Sequence, residues 1–152
     1  MEYELFYQLM SDFVERLNAL MTERDIYVKK LSKELVISSP ALYQYLVKKH
    51  LPRLPTLLKI ADYFQCTMDF LLGLRAQNNS KGFRKCPPFS ERFPHLMQCF
   101  GQSKYSISKR LKISPSLIHY WQTGERIPTG EHLVLLAREF HFSIDFSLGR
   151  EI

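Results

Sequence analysis

The side chains of this 152-residue chain that could do chemistry fall into no catalytic or metal-binding pattern; they are cations and hydrogen-bonding groups set among helix-forming segments. His50, His95, His132 and His141 share no ligand spacing, and a structural or surface role is expected for each. Cys66, Cys86 and Cys99 are odd in number and lack a CxxC spacing, so neither a disulfide framework nor a zinc ribbon is expected. No serine is paired by pattern with a base, and the chain shows no carboxylate pair and no glycine-rich phosphate loop. The expectation is a binding protein, not an enzyme, with no cofactor and no small-molecule ligand. What the chain does carry is 21 Lys and Arg against 15 Asp and Glu, a net charge of +6, which suits an anionic partner. The surplus is uneven: residues 1–76 hold ten cations and nine anions, whereas residues 77–152 hold eleven and six.

The cationic half contains KYSISKRLKISPSLIHYWQTGERIP, Lys104 to Pro128, where three local signals agree. Ile107 and Leu111, then Leu117, Ile118 and Trp121, fall at helical spacings and mark two short amphipathic helices. Ser114 is a good N-cap for the second, with Pro115 in its first turn, where a missing N–H breaks no intrahelical bond. Gly124 and Pro128 close it. Such a helix-turn-helix buries little alone and needs a scaffold.

The scaffold shows itself as an internal repeat. Placing Ala61 on Ala137, a shift of 76, aligns KIADYFQCTMDFLLG with LLAREFHFSIDFSLG. In the same register Arg16 meets Arg92, Ser32 meets Ser108, Ile37 meets Ile113 and Pro52 meets Pro128, without a gap. The expected helices of the first copy are Val28 to Leu35, Ser39 to Lys48, Pro55 to Phe64 and Met68 to Leu72. Those of the second are Lys104 to Leu111, Pro115 to Gln122, Gly130 to Phe140 and Ile144 to Leu148. Ahead of the first copy, Tyr3, Phe6, Tyr7 and Met10 run in helical phase into Phe13, Leu17 and Met21, predicting one helix from about Glu2 to Glu23 despite a capping-box-like Asp12 and Glu15. Leu5 and Leu9 lie off that stripe and are expected to face the second domain or another copy. Pro94 replaces Asn18 inside the second copy's first helix, which predicts a late start near residues 91–94.

Both copies resemble the Cro and lambda-repressor-type helix-turn-helix family, through LSKELVIS from Leu31, ISKRLKIS from Ile107, and the two aligned stretches above. The resemblance covers about residues 13–74 and 89–150. It implies an all-α fold of two tandem five-helix DNA-binding domains with an N-terminal helical extension: residues 1–75, a linker at 76–88, and residues 89–152. The family usually places glycine in the turn after its second helix; here Val36 and Lys112 stand there. By resemblance, DNA base contacts fall to Ser39, Pro40, Ala41, Tyr43 and Gln44, and to Pro115, Ser116, Leu117, His119 and Tyr120. Gln44 can pair with adenine, and Ala41 or Leu117 can touch a thymine methyl. Phosphate contacts would come from Lys29, Lys30, Lys48 and Lys49, and from Lys104, Lys109, Lys112, Gln122 and Arg126, which supply affinity without sequence information. Tyr45 and Trp121 occupy the core-facing position, so packing is expected of them.

The function expected is a sequence-specific, double-stranded-DNA-binding transcriptional regulator, a repressor, with the later copy as dominant reader. The rival is a protein-interaction module of antitoxin-like or antirepressor-like kind, suggested by the near-neutral first copy. A homodimer or partner protein could use the N-terminal helix. The start of the chain lacks a signal-peptide pattern, and no apolar run approaches the roughly 20 residues of a membrane span, so a soluble, cytoplasmic protein is expected.

Overall fold

The computed structural model describes residues 2–48, 51–78 and 81–151. The chain divides into two compact units, Met1–Ser80 and Lys81–Ile152. Among the described residues every regular element is a helix, with one isolated antiparallel bridge between Phe83 and Glu151.

Unit 1 holds α1 (Glu2–Glu23), α2 (Val28–Leu35), α3 (Ser39–Leu46), α4 (Leu54–Phe64) and α5 (Met68–Leu71). The continuous α1 agrees with the helical phase; Asp12 starts no new helix, and its carboxylate accepts from Gln8 Nε2 one turn back at 3.0 Å. Phe13 and Leu17 of α1, Leu31 of α2, Leu42 of α3, and Leu57 and Ile60 of α4 are all buried. Each such side chain contributes about 1.5–3 kcal/mol by leaving water, which is how short helices are held that would not persist alone. Leu9 is buried and Leu5 half-buried, whereas Tyr7 is exposed.

Unit 2 holds α6 (Phe89–Phe100), α7 (Lys104–Leu111), α8 (Pro115–Thr123), α9 (Gly130–Phe140) and α10 (Ile144–Leu148). The late start expected from Pro94 is corrected: α6 begins at Phe89 and carries Pro94 inside it. Phe89 and Phe93 stack at 5.3 Å and meet the fully buried Trp121 of α8 edge-on at 6.2 and 5.8 Å. Two buried aromatics in the first turns outweigh the roughly 3 kcal/mol that an interior proline costs.

The two units share their backbone landmarks. Shifted by 76, α2 and α4 land on α7 and α9 end for end. Each left-handed residue of unit 1 also has its counterpart: Asp25 with Gly101, Val36 with Lys112, Lys48 with Gly124, Gln65 with His141, and Gly73 with Gly149. The left-handed Lys48 explains why α3 stops at Leu46 and not at Lys48.

The turn joining the second and third helices is built alike in both units. Val36 (φ 55°) and Lys112 (φ 56°) adopt the left-handed conformation that glycine usually supplies. Around each, the N–H of Ile37 or Ile113 donates to the carbonyl of Ser32 or Ser108, at 3.0 and 3.2 Å. The hydroxyl of that serine donates back to the carbonyl of the same isoleucine, at 2.6 Å in unit 2 and likewise in unit 1. Ser38 and Ser114 then cap the next helix, accepting from the N–H of Ala41 at 3.2 Å and of Leu117 at 3.1 Å. A β-branched residue in this conformation costs about 1–2 kcal/mol, and Val36 is 84% exposed, so its side chain returns little by packing. Val36→Gly is therefore expected to raise the melting temperature by a few degrees with unchanged helical circular dichroism; a fall would show that the turn is not strained at Val36.

Candidate nucleic-acid interface

The third helix of each unit has an inward and an outward side set by its sequence. In α3, Leu42 is buried and Tyr45 half-buried, while Pro40, Tyr43, Gln44 and Val47 at its end are exposed. In α8, Ile118 and Trp121 are fully buried, while Ser116, His119 and Thr123 are exposed and Tyr120 is half-buried. Both outward sets follow the i, i+3, i+4, i+7 spacing of a single helix face. Trp121 packs against Phe89, Phe93 and His132, as expected of a core-facing position.

The remaining expected base-contact residues lie at the start of these helices. Ser39 and Ala41 are half-buried in the first turn of α3, and Leu117 is half-buried in the first turn of α8. Both turns carry a proline, Pro40 and Pro115, and both are capped by a serine. The cap serine and the proline leave few N–H groups open there, so it is mainly the positive end of the helix that favours an approaching anion.

The cations divide into free and engaged ones. Lys29 and Lys30 on α2, Lys48, Lys109 and Lys112 are exposed. Lys49 lies outside the described residues. Lys104, the first residue of α7, is half-buried, with its ammonium 5.1 Å from the Tyr105 ring. Arg126 lies beyond α8 and folds back over it: its N–H donates to the Tyr120 carbonyl at 3.3 Å and its guanidinium sits 4.9 Å from the Tyr120 ring centre. Gln122 stands apart from this group, for its amide donates to Met97 Sδ at 3.7 Å within unit 2.

Several charges have internal roles that sequence reasoning did not assign. Arg150 is fully buried, donates to Asp145 at 2.7 Å and lies 3.8 Å from the centre of the Phe83 ring. Phe83 and Arg84, inside the stretch 76–88, are thereby tied to unit 2, and Arg84 N–H donates to the Arg150 carbonyl at 2.9 Å. On the other side of the boundary, Asn78 bonds the backbone of Gln65 and Thr67 in unit 1. Arg16 and Arg92, matched by the repeat, lie over Phe70 and Phe146 at 4.5 and 4.8 Å, each donating to a backbone carbonyl. Arg110 pairs with Glu139 at 3.1 Å. The repeat was a signal for Arg16 and Arg92; Arg150 had none, since unit 1 has Leu74 at that place.

Unit 1 presents a serine-capped third helix with an outward face, joined to its second helix by a short turn. Residues 16–77 match the family model of the Cro/C1-type HTH DNA-binding domain. The match runs from within α1 to beyond α5, so it takes in every other helix of unit 1. Unit 1 thus contains a DNA-binding domain of that type, which supports a DNA-binding regulator. No curated protein and no solved structure matches the chain. Among the described residues, no helix is long and apolar enough to cross a membrane.

Removing one partner of the buried Arg150–Asp145 pair leaves an uncompensated charge, which costs about 3–5 kcal/mol. Arg150→Met is expected to unfold unit 2 at markedly lower denaturant than unit 1, giving two transitions in urea; one unchanged transition would remove the pair from any structural role.

Proposed function

We propose that the chain is a sequence-specific, double-stranded-DNA-binding repressor of transcription. Its two units are tandem copies of one domain, each offering its third helix, α3 or α8, to the major groove. The observation that carries this reading is the recurrence, at one shift of 76, of five left-handed residues and of the serine-closed turn that aims each of those helices. Occupying duplex DNA is enough to exclude a polymerase, so repression is the sign we assign.

On this reading the outward residues Tyr43 and Gln44, and Ser116, His119 and Tyr120, meet base edges, with Ser39, Ala41 and Leu117 at the helix entry. Lys29, Lys30, Lys48 and Lys49, and Lys104, Lys109 and Lys112, meet phosphates, while Arg126, held over the Tyr120 ring, meets a base edge and not a phosphate. Gln122 fits that role only if it leaves Met97. The chain acts by binding, without catalysis or cofactor, in the cytoplasm. A homodimer or partner protein uses the start of α1, where Tyr7 is 64% exposed and Phe6 stands edge-on to it at 6.3 Å.

Unit 2, with a net charge of +5 against +1 for unit 1, supplies most of the attraction for phosphate. Titrating the chain with random-sequence duplex at several salt concentrations is expected to give affinity that falls linearly on a log-log plot, with a slope reporting several phosphates. Lys104→Ala with Lys109→Ala should lower that slope by about 2, and Lys29→Ala with Lys48→Ala by less. Salt-insensitive binding would remove DNA as the partner, and equal losses would remove unit 2 as the dominant reader.

A further inference from the structure

We infer that the two units read half-sites of different base chemistry, so that the operator is asymmetric: an A·T block under unit 1 and a guanine-containing block under unit 2. This rests on the proposal that both third helices enter the major groove. What it adds comes from the exposed stripes, which occupy identical positions in the repeat yet differ in chemistry at each one.

On α3 the stripe is Pro40, Tyr43, Gln44 and Val47, with Tyr43 56% and Val47 62% exposed. It carries no charge. Its carboxamide can donate to and accept from one base at once, a pattern that adenine N6 and N7 satisfy. Its apolar members suit the thymine methyl, the one apolar group a base pair shows in this groove. Unpaired polar edges of G·C pairs would lose their water against Val47 and Pro40 without a partner, which disfavours them.

On α8 the stripe is Ser116, His119, Tyr120 and Thr123. Tyr43 has become an imidazole and Pro40 a serine hydroxyl; Val47 has become Thr123, whose own hydroxyl donates to the Tyr120 carbonyl at 3.2 Å, and no carboxamide remains at the position of Gln44. Beside it the Arg126 guanidinium is held against the Tyr120 ring at 4.9 Å, with the Arg126 N–H bonded to the Tyr120 carbonyl. The His119 ring lies 6.4 Å from that of Tyr120. Imidazole, hydroxyl and a guanidinium with a fixed base gather hydrogen-bond donors on one side, and guanine presents two acceptors there, N7 and O6. A unit built this way discriminates for guanine where unit 1 discriminates for A·T.

Selecting bound duplexes from a random pool with the full chain tests this. The expected consensus is not palindromic, with one block of A·T pairs and a separate block containing guanine. Gln44→Ala should lose discrimination only in the A·T block, by on the order of ten-fold at the adenine it reads. His119→Ala should lose it only in the guanine block. Arg126→Lys should do the same while leaving the salt slope unchanged, because the charge is kept and the planar fork is lost. Circular dichroism of these exposed-site variants should match that of the parent. A palindrome, a direct repeat of one base pattern, or Gln44→Ala and His119→Ala altering the same block would overturn the inference. So would salt-dependent binding with no enriched sequence, an outcome that leaves DNA binding itself standing. Absence of any salt-dependent binding would overturn the proposed function, and this inference with it.

Discussion

Everything outward-facing in this protein depends on a turn of three residues closed from both sides by one serine. Ser32 in unit 1 and Ser108 in unit 2 accept a backbone bond from the isoleucine two residues before α3 or α8, and give their own proton to that isoleucine's carbonyl. Between them the chain must pass through the left-handed region at Val36 or Lys112. The turn is short, so the angle between the second and third helices is set by this closed ring of bonds and by the core below it. Two hydrogen bonds of about 1 kcal/mol each, with a serine cap of similar size just beyond, are enough to hold a conformation costing about 1–2 kcal/mol. The family habit of glycine at this place is one solution; a serine latch around a left-handed side chain is another.

From that constraint the division of each third helix follows. Leu42 in α3, and Ile118 and Trp121 in α8, are drawn into the core. The helix cannot then rotate without exposing them, at about 1.5–3 kcal/mol per side chain. The outward stripe is consequently a fixed surface, and on the proposed reading chemical differences between the two stripes become differences in what they recognise. Charge behaves in a less simple way. Arg150 and Arg110 are paired with Asp145 and Glu139, acids already counted against the surplus, whereas Arg92, against Phe146, is a cation of the unit 2 surplus with a structural role. On the proposed reading the cations that meet phosphate are the lysines, with Arg126 held over Tyr120 beside the stripe.

Most of the fold could be read from residue types because its boundaries are set locally. Ser38, Thr67, Ser114 and Ser143 are short side chains that accept from a helix's third N–H, and all four cap as their positions suggest. The 76-residue repeat then let each boundary in one copy vouch for its counterpart. What could not be read depended on groups distant in sequence. Pro94 suggested a late helix start, because a local rule cannot weigh the Phe89, Phe93 and Trp121 cluster that holds it. Nothing local marks Arg150, and only the fold brings Phe83 and Asp145 to it. For the candidate site, positions such as Tyr43, Gln44 and His119 could be placed through the family resemblance, while the Gln122 bond to Met97 and the fold-back of Arg126 onto Tyr120 could not.

The central claim is that both third helices, aimed by their serine-closed turns, meet one duplex. Amide resonances followed by two-dimensional NMR during titration with a selected duplex test it most directly. The account predicts that perturbations concentrate on residues 39–47 and 115–123 together, and saturate at one common stoichiometry. Perturbations confined to one unit, or centred away from α3 and α8, would contradict it.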